Sequence, residues 1–198
     1  MVTKILYVYG MSKTKDVVYN LRKLGYKVTE YPDRQNNSQL DDHEIAKLAA
    51  YISKNRITHV MSIHLIYNLS MAAYQTGIKY VSIIWDAPYI KLYTPFGRLN
   101  NCWFSVFDRL DYERFMADRI PHVFYQPLAV NQDDVRKWDV KRKLGGKYIN
   151  EISFVGSLYE DNLYDKNVAK IPANLQDYFT SIFEEAAFCW DGVNRIYG

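Results

Sequence analysis

Hydrophobic and polar positions follow two alternating patterns along the chain. Short runs rich in β-branched and aromatic residues are separated by longer segments in which apolar residues recur at helical spacing. This alternation is typical of a mainly parallel sheet whose strands are connected by helices. The runs predict six strands, at Lys4 to Tyr9, Lys27 to Tyr31, His59 to Ile63, Tyr80 to Trp85, Cys102 to Phe107 and His122 to Gln126. The expected fold class is therefore α/β.

Residues that begin and end helices lie between these runs. Ser12 and Asp41 are placed as N-caps of the first two helices, and Gly25 and Gly77 follow helical segments where a left-handed residue ends a helix. The fourth run is almost continuously apolar, as expected of a strand with helices on both faces. The sequence thus predicts a Rossmann-like three-layer domain.

Composition changes after the sixth strand. Residues 1–130 form the predicted domain, whereas 131–150 contain the charged run RKWDVKRKLGGK and are interpreted as a linker. A further strand is predicted at Ile152 to Val155 and an aromatic helix at Leu175 to Phe188. Residues 151–198 are therefore expected to be the start of a second domain, or a tail that packs on the first.

Charge and cysteine content exclude several classes of protein. A net charge of +3 over 198 residues is too small to indicate a nucleic-acid partner. Cys102 and Cys189 are far apart, which argues against a disulfide scaffold or a zinc ribbon. The sequence also shows neither a signal peptide nor an apolar run of about 20 residues that would span a membrane. We expect a cytoplasmic protein.

Motifs for nucleotide and metal sites are mostly missing. The chain has no GxxxxGK[ST] loop, no HExxH and no DxD triplet, so neither a metal nor a cofactor is expected. Gly10 and Glu30 have the spacing of a dinucleotide-binding turn and its ribose-binding acid, but position 12 is a serine rather than the second glycine. A nicotinamide or flavin domain stays open as an alternative.

Candidate functional residues follow the predicted strands, because open α/β sheets bind ligands at the carboxyl ends of their strands. Four residues qualify: Gly10, His64, Asp86 and Asp108. His64 is a candidate general base, although a histidine that is satisfied by a backbone partner is more common. Asp86 would face the cleft or cap a turn, and Asp108 has the spacing of an N-cap.

An aromatic segment, WDAPYIKLYTPF, follows the fourth strand. It places Trp85, Tyr89, Tyr93 and Phe96 in a loop above the sheet, in a chain that has 18 Tyr, 9 Phe and 4 Trp. Such rings would suit stacking against a sugar or closure as a lid. Packing of the same rings in the core is the alternative.

The order of these motifs resembles the CgeB-like, spore-maturation family of glycosyltransferases, which have a two-domain GT-B architecture. Asp86 and Pro88 are similar to the family's D-x-P turn, and Phe107-Asp108-Arg109 to its fifth strand end. The segment YQPLA at 125–129 is similar to its Y-x-P-L-A segment. The most specific similarity is ISFVGSLY at 152–159, and the resemblance covers about residues 80–160.

The resemblance implies that the chain is the amino-terminal, acceptor-side half of such an enzyme, followed by the start of the donor-side half. It implies metal-independent transfer of a sugar from a nucleotide-sugar donor to an unknown acceptor, with Asp86 or His64 as base. Further expected substrate-binding residues are Gly10, Trp85, Tyr89, Asp108, Gly156 and Ser157. Because the chain ends about 40 residues after this last motif, little or no activity is expected of it alone. The alternative is a non-catalytic module that binds a sugar, a nucleotide or a protein.

Overall fold

The computed structural model describes residues 2–10, 15–33, 39–137, 156, 166–167 and 170–188. The chain divides into two compact units, Met1–Asp139 and Val140–Gly198. The first unit contains the predicted α/β domain, and it extends beyond residue 130 into the segment interpreted as a linker. In the second unit the structure describes one long helix, whereas the strand predicted at 152–155 lies outside the described residues.

A six-stranded sheet organises the first unit, and every neighbouring pair of strands is parallel. The strand order is β2-β1-β3-β4-β5-β6. The strands are β1 (Lys4–Tyr9), β2 (Lys27–Pro32), β3 (His59–Ile63), β4 (Lys79–Ile84), β5 (Cys102–Val106) and β6 (Val123–Tyr125). The predictions of an α/β fold class and of a mainly parallel sheet are confirmed, and each predicted strand end lies within two residues of the observed one.

Helices connect successive strands, as the sequence predicts. They are α1 (Lys15–Lys23), α2 (Asp42–Lys54), α3 (Tyr67–Gln75) and α4 (Arg109–Ala117), and α5 (Gln132–Val135) follows the last strand. Between β4 and β5 the chain forms two 3-10 turns, Ile90–Tyr93 and Pro95–Arg98. The helix of the second unit is α6 (Ala173–Phe188).

Local sequence explains where these helices begin and end. Asp41 caps α2, since its carboxylate accepts hydrogen bonds from the N–H groups of His43 and Glu44. Gly25 and Gly77 have φ of +88° and +68°, the left-handed conformation in which glycine is least strained. Both glycine predictions are confirmed, whereas Ser12 lies outside the described residues.

Alternating strand residues divide the sheet into two faces. One face carries the main core, in which Leu6, Val60, Tyr80 and Phe104 are fully buried and pack with apolar residues of α2, α3 and α4. The pairing register runs directly from Leu6 to Val60 and from Val60 to Tyr80, so these side chains form a row across adjacent strands. The helix α1 connects β1 to β2 in the opposite direction along the sheet, and right-handed connections then place it on the other face.

The first residues of the supposed linker belong to this first unit. Asp133 in α5 accepts hydrogen bonds from the Tyr19 hydroxyl, at 2.9 Å, and from the Lys23 ammonium, at 2.5 Å. Asn131 donates to the Asp16 carboxylate at 2.9 Å. These bonds attach α5 to α1, so the segment 131–137 is part of the folded domain.

Candidate functional site

Three polar residues that the sequence singles out lie at one edge of the sheet. His64 follows β3, Asp86 follows β4 and Asp108 follows β5, and these three strands are adjacent and parallel. Their carboxyl ends therefore open on the same side. The reversal in strand order lies between β1 and β3, which places Gly10 and His64 on either side of the position where open α/β sheets bind ligands.

The backbone at His64 has an unusual conformation, which the surrounding hydrogen bonds hold in place. Its φ of +58° lies in the left-handed region, where histidine is one of the more frequent residues with a side chain. The His64 N–H donates to the Ile83 carbonyl at 2.8 Å. The His64 carbonyl accepts from the Ser62 hydroxyl at 2.7 Å and from the Tyr80 hydroxyl at 3.1 Å. The position of this residue is thus determined by two neighbouring strands.

Tyr80 is the centre of a buried polar network beneath the site. Its hydroxyl lies 2.6 Å from the Ser62 hydroxyl and accepts a hydrogen bond from the Ile66 N–H at 2.9 Å. Burial raises the pKa of Tyr80, and the hydrogen bonds only partly oppose this effect. The group is therefore a neutral hydroxyl that satisfies backbone groups in the turn after β3.

The imidazole of His64 and the carboxylate of Asp86 form a pair at the surface. His64 Nε2 lies 3.5 Å from Asp86 Oδ2, and the two side chains are 33% and 73% exposed. Burial lowers the pKa of His64, the Asp86 carboxylate opposes this, and the nearby Lys91 ammonium lowers it further. A neutral imidazole beside a solvated carboxylate is thus favoured near neutral pH.

The buried side chain of Tyr89 packs against this imidazole. Its ring stacks on that of His64, with centroids 5.4 Å apart and an interplanar angle of 19°. The Tyr89 hydroxyl accepts from the Leu65 N–H at 2.9 Å, and its own N–H donates to Asp111 Oδ2 at 2.9 Å. Because Tyr89 is only 6% exposed, its position fits the orientation of His64 better than direct stacking on a ligand.

The sequence leaves open whether the other aromatic residues of this loop pack in the core or contact a ligand, and their burial differs from one residue to the next. Phe96 stacks on Tyr67, with centroids 4.5 Å apart, and packs against the core. Tyr93 contacts the buried ring of Phe115, at 5.4 Å between centroids, but stays 42% exposed. Trp85, which precedes Asp86 in the chain, is 36% exposed, so part of its ring is open to solvent.

Asp108 has a structural function in this arrangement. It is the N-cap of α4, and its Oδ1 accepts from the Asp111 N–H at 2.9 Å. Burial raises the pKa of Asp111, which in turn holds the backbone of Tyr89. The expected substrate-binding function of Asp108 stays a prediction, and the N-cap expected from its spacing is confirmed.

The substrate-binding function expected of Gly10, Gly156 and Ser157 stays a prediction. Gly10 has an ordinary φ, and a Cβ added there would meet no atom of the described residues within 4 Å apart from its chain neighbours, so packing among those residues does not require glycine. Gly156 is exposed and belongs to the second unit, and Ser157 lies outside the described residues. The structure therefore describes no contact of any of the three with His64.

Glu30, the other half of the dinucleotide alternative, has a protein partner. Its Oε1 lies 3.1 Å from the guanidinium of Arg22 in α1. An open groove of about 470 Å³ lies beside this pair and is lined by Lys15, Val18, Tyr19, Arg22, Lys23 and Glu30. The groove follows α1 and β2 rather than the edge that carries His64.

Sequence reasoning missed the residues that hold the pair in place. Tyr80, Ser62 and Asp111 are buried polar side chains, and Lys91 lies in a 3-10 turn that the sequence left irregular. The only available signal was the presence of serine and tyrosine within otherwise apolar strands, where a buried hydroxyl needs a partner.

Within the part of the chain that the structure describes, no cluster of three or more His, Cys, Asp or Glu side chains is arranged to hold a metal ion. In the same ranges, no helix is both long enough and apolar enough to cross a membrane.

Comparison with known proteins yields little beyond the fold. No family model matches the chain, and no curated protein matches it. Five solved protein chains match. One is a dTDP-4-dehydrorhamnose reductase from Clostridium acetobutylicum, with a TM-score of 0.32 and 16% identity, over 67% of this chain and 57% of the reductase. This chain thus spans less than two thirds of the reductase, and a similarity this low carries no functional argument.

The fold is Rossmann-like. This conclusion rests on the six parallel strands and their connecting helices. Because the same architecture hosts many unrelated chemistries, function has to be argued from the His64–Asp86 pair.

Proposed function

We propose that the chain is the acceptor-side domain of a glycosyltransferase, and that the His64–Asp86 pair binds and deprotonates a hydroxyl group of the acceptor. The observation that carries this proposal is the 3.5 Å contact between the imidazole and the carboxylate at the carboxyl edge of the sheet. A carboxylate that is 73% exposed can reach a substrate hydroxyl, while the half-buried imidazole restricts its position.

The proposed reaction is a substitution at the anomeric carbon of a nucleotide-sugar. The acceptor oxygen forms the new C–O bond, and its proton passes to the basic group of the pair. The bond between the anomeric carbon and the diphosphate breaks, and its electron pair leaves with the nucleoside diphosphate. Because a neutral hydroxyl is a weak nucleophile, removing its proton during attack is the contribution expected of this domain.

The resemblance in sequence supports the same proposal independently of the geometry. The D-x-P turn that is similar to the CgeB-like family is the segment that carries Asp86, and its Ala87-Pro88 peptide is cis. Asp86, the first residue of this turn, is the residue whose carboxylate lies 3.5 Å from His64 Nε2. The donor would bind mainly to the second half of such an enzyme, so this domain is expected to determine the acceptor.

A transfer assay with the full natural chain tests this function. UDP-glucose, UDP-galactose and GDP-mannose are supplied as donors and p-nitrophenyl glycosides as acceptors, and the products are identified by mass spectrometry. We expect acceptor-dependent release of nucleoside diphosphate, reduced about 100-fold or more by Asp86→Asn. Glu113→Gln, an exposed acid on α4, is the matched control and should leave the rate unchanged. Equal rates for wild type and Asp86→Asn, or the absence of transfer, would overturn the proposal.

The alternative function is sugar binding without catalysis. It is favoured by Trp85, which precedes Asp86 in the chain and is 36% exposed, since such a ring could stack on a pyranose. Titration of the same glycosides against tryptophan fluorescence separates the two functions. A binding module should show saturable binding of the glycosides and no turnover of the three donors. The Trp85→Ala variant should lose this binding.

A further inference from the structure

The two nitrogens of His64 have different surroundings. Nε2 faces Asp86 Oδ2 at 3.5 Å. Nδ1 is buried and has no hydrogen-bond partner in the part of the chain that the structure describes. A neutral imidazole carries its proton on one of these nitrogens and a lone pair on the other, so the surroundings decide which nitrogen can accept a proton.

A proton on Nδ1 would be a buried N–H without an acceptor. Leaving such a donor unsatisfied is destabilising, and buried donors without a partner are rarer in proteins than buried acceptors without one. A proton on Nε2 lies instead on the side of the ring that has the Asp86 carboxylate, whose Oδ2 is 3.5 Å from this nitrogen. The Nε2–H tautomer is therefore the stable form, and its lone pair faces the buried side of the ring, where no substrate reaches it.

Protonation of the imidazole is disfavoured for the same reason, because an imidazolium also carries a buried Nδ1–H without an acceptor among the described residues. The described charged and titratable groups that act on the ring are Asp86, Lys91 and the neutral hydroxyl of Tyr89. Burial and Lys91 both lower the pKa of His64, and Asp86 alone opposes them. Since Tyr89 stacks on the ring and hydrogen bonds fix the backbone, rotation that would expose Nδ1 is also hindered.

We infer that Asp86 is the base of this site and that His64 is a positioning residue, whose Nε2–H holds the carboxylate toward the acceptor. This inference rests on the proposed function, and it assigns the two members of the pair to different tasks. In the transfer step the acceptor proton passes to an Asp86 oxygen, the acceptor oxygen bonds to the anomeric carbon, and the nucleoside diphosphate leaves with its bonding electrons.

The tautomer can be measured without any substrate. In the 198-residue chain labelled with ¹⁵N, two-bond proton–nitrogen correlations distinguish the protonated from the unprotonated ring nitrogen of each histidine. We expect the His64 signals to show Nε2–H at neutral pH, and the Nε2 shift to change in Asp86→Asn. An Nδ1–H tautomer, or an imidazolium at neutral pH, would overturn the inference even if transfer is observed.

Two substitutions at position 64 separate positioning from proton transfer. The amide nitrogen of Gln approximates Nε2 and can still donate to Asp86, whereas that of Asn approximates Nδ1. We expect His64→Gln to keep kcat within about 10-fold of wild type and His64→Asn to lose more, while Asp86→Asn loses about 100-fold or more. This ranking of kcat distinguishes the two functions of His64. Because Asn fits a left-handed backbone better than Gln, a purely structural function predicts that His64→Asn is the more active variant.

If His64 were the base, Gln and Asn would be equally inactive, and that result would overturn the inference. The matched control is His43→Gln, an exposed histidine on α2, which should leave kcat unchanged. Absence of transfer in wild type would remove the proposed function but would leave the tautomer measurement to decide the state of the pair.

Discussion

At the scale of single residues, two glycines show how differently the same residue type is used. Gly10 follows β1 and is a predicted substrate-binding residue, yet a Cβ there would meet no atom of the described, non-adjacent residues within 4 Å. Gly97 lies in the second 3-10 turn, and a Cβ there would lie 2.0 Å from the Leu92 carbonyl oxygen. Packing among the described residues therefore requires glycine at position 97 and not at position 10.

We predict that Gly97→Ala destabilises the domain by about 1–3 kcal/mol or more, because the clash is with backbone and cannot be relieved by a side-chain rotation. The matched substitution Gly10→Ala should change stability by no more than about 0.5 kcal/mol. Urea unfolding followed by circular dichroism measures both. Equal stability of the two variants would show that the turn at Gly97 adapts without strain.

Residues that hold a site in place are harder to predict from the sequence than residues that follow a strand. His64 and Asp86 could be selected because each follows an apolar strand, and strand ends are recognisable from periodicity alone. Gly97, Lys91 and Asp111 depend on contacts between segments far apart in the chain or on irregular turns, which have no periodic signal. Local pattern therefore predicts where a site lies better than how it is held together.

At the scale of elements, α4 connects the edge of the sheet to the support of the site. Asp108 begins this helix, and one turn on, Asp111 accepts the hydrogen bond of the Tyr89 N–H. The N-cap thus has two consequences, since it stabilises the helix and fixes the carboxylate that holds the loop under His64.

We predict that Asp108→Ala lowers the free energy of unfolding by about 1 kcal/mol, the usual loss for an N-cap. Asp108→Asn retains an oxygen acceptor and should lose much less. If the residue acts only as a cap, glycoside binding by the Asn variant should equal that of wild type. Weakened binding at unchanged stability would instead support the substrate-binding function expected from the sequence.

The strands were more predictable than the loop between β4 and β5. Each apolar run became a strand because a parallel sheet with helices on its faces needs short, nearly continuous apolar segments. The loop at 87–101 was predicted only as irregular, and its two 3-10 turns arise from packing of Leu92 and Phe96 against the core. Its aromatic residues could not be assigned to core or surface before that packing was known.

At the scale of the whole domain, the histidines connect stability to pH. Burial lowers the pKa of both His59 and His64, and Lys79 lowers that of His59 further. The unfolded chain then binds protons at a higher pH, near the ordinary histidine value of 6.5, than the folded chain does. The free energy of unfolding should therefore fall as the pH decreases through about 6.5.

We predict that His64→Gln and His59→Gln each flatten this dependence, and that the double variant flattens it most. Urea unfolding at a series of pH values from about 5 to about 8 measures the slope. Asp111, whose pKa burial raises, contributes with the opposite sign at lower pH, so the comparison between variants isolates the histidines. A wild-type domain that gains stability on acidification within this range would contradict the prediction.

The left-handed backbone at position 64 also limits how this protein can change over time. Few residue types tolerate a φ of +58°, with glycine and asparagine foremost among the replacements. If the proposed transfer reaction is correct, a descendant that no longer needs the imidazole could acquire either of these residues, since both relieve the strain of the turn. Under the proposed function, relatives with glycine or asparagine at the corresponding position would retain the fold without the proposed reaction.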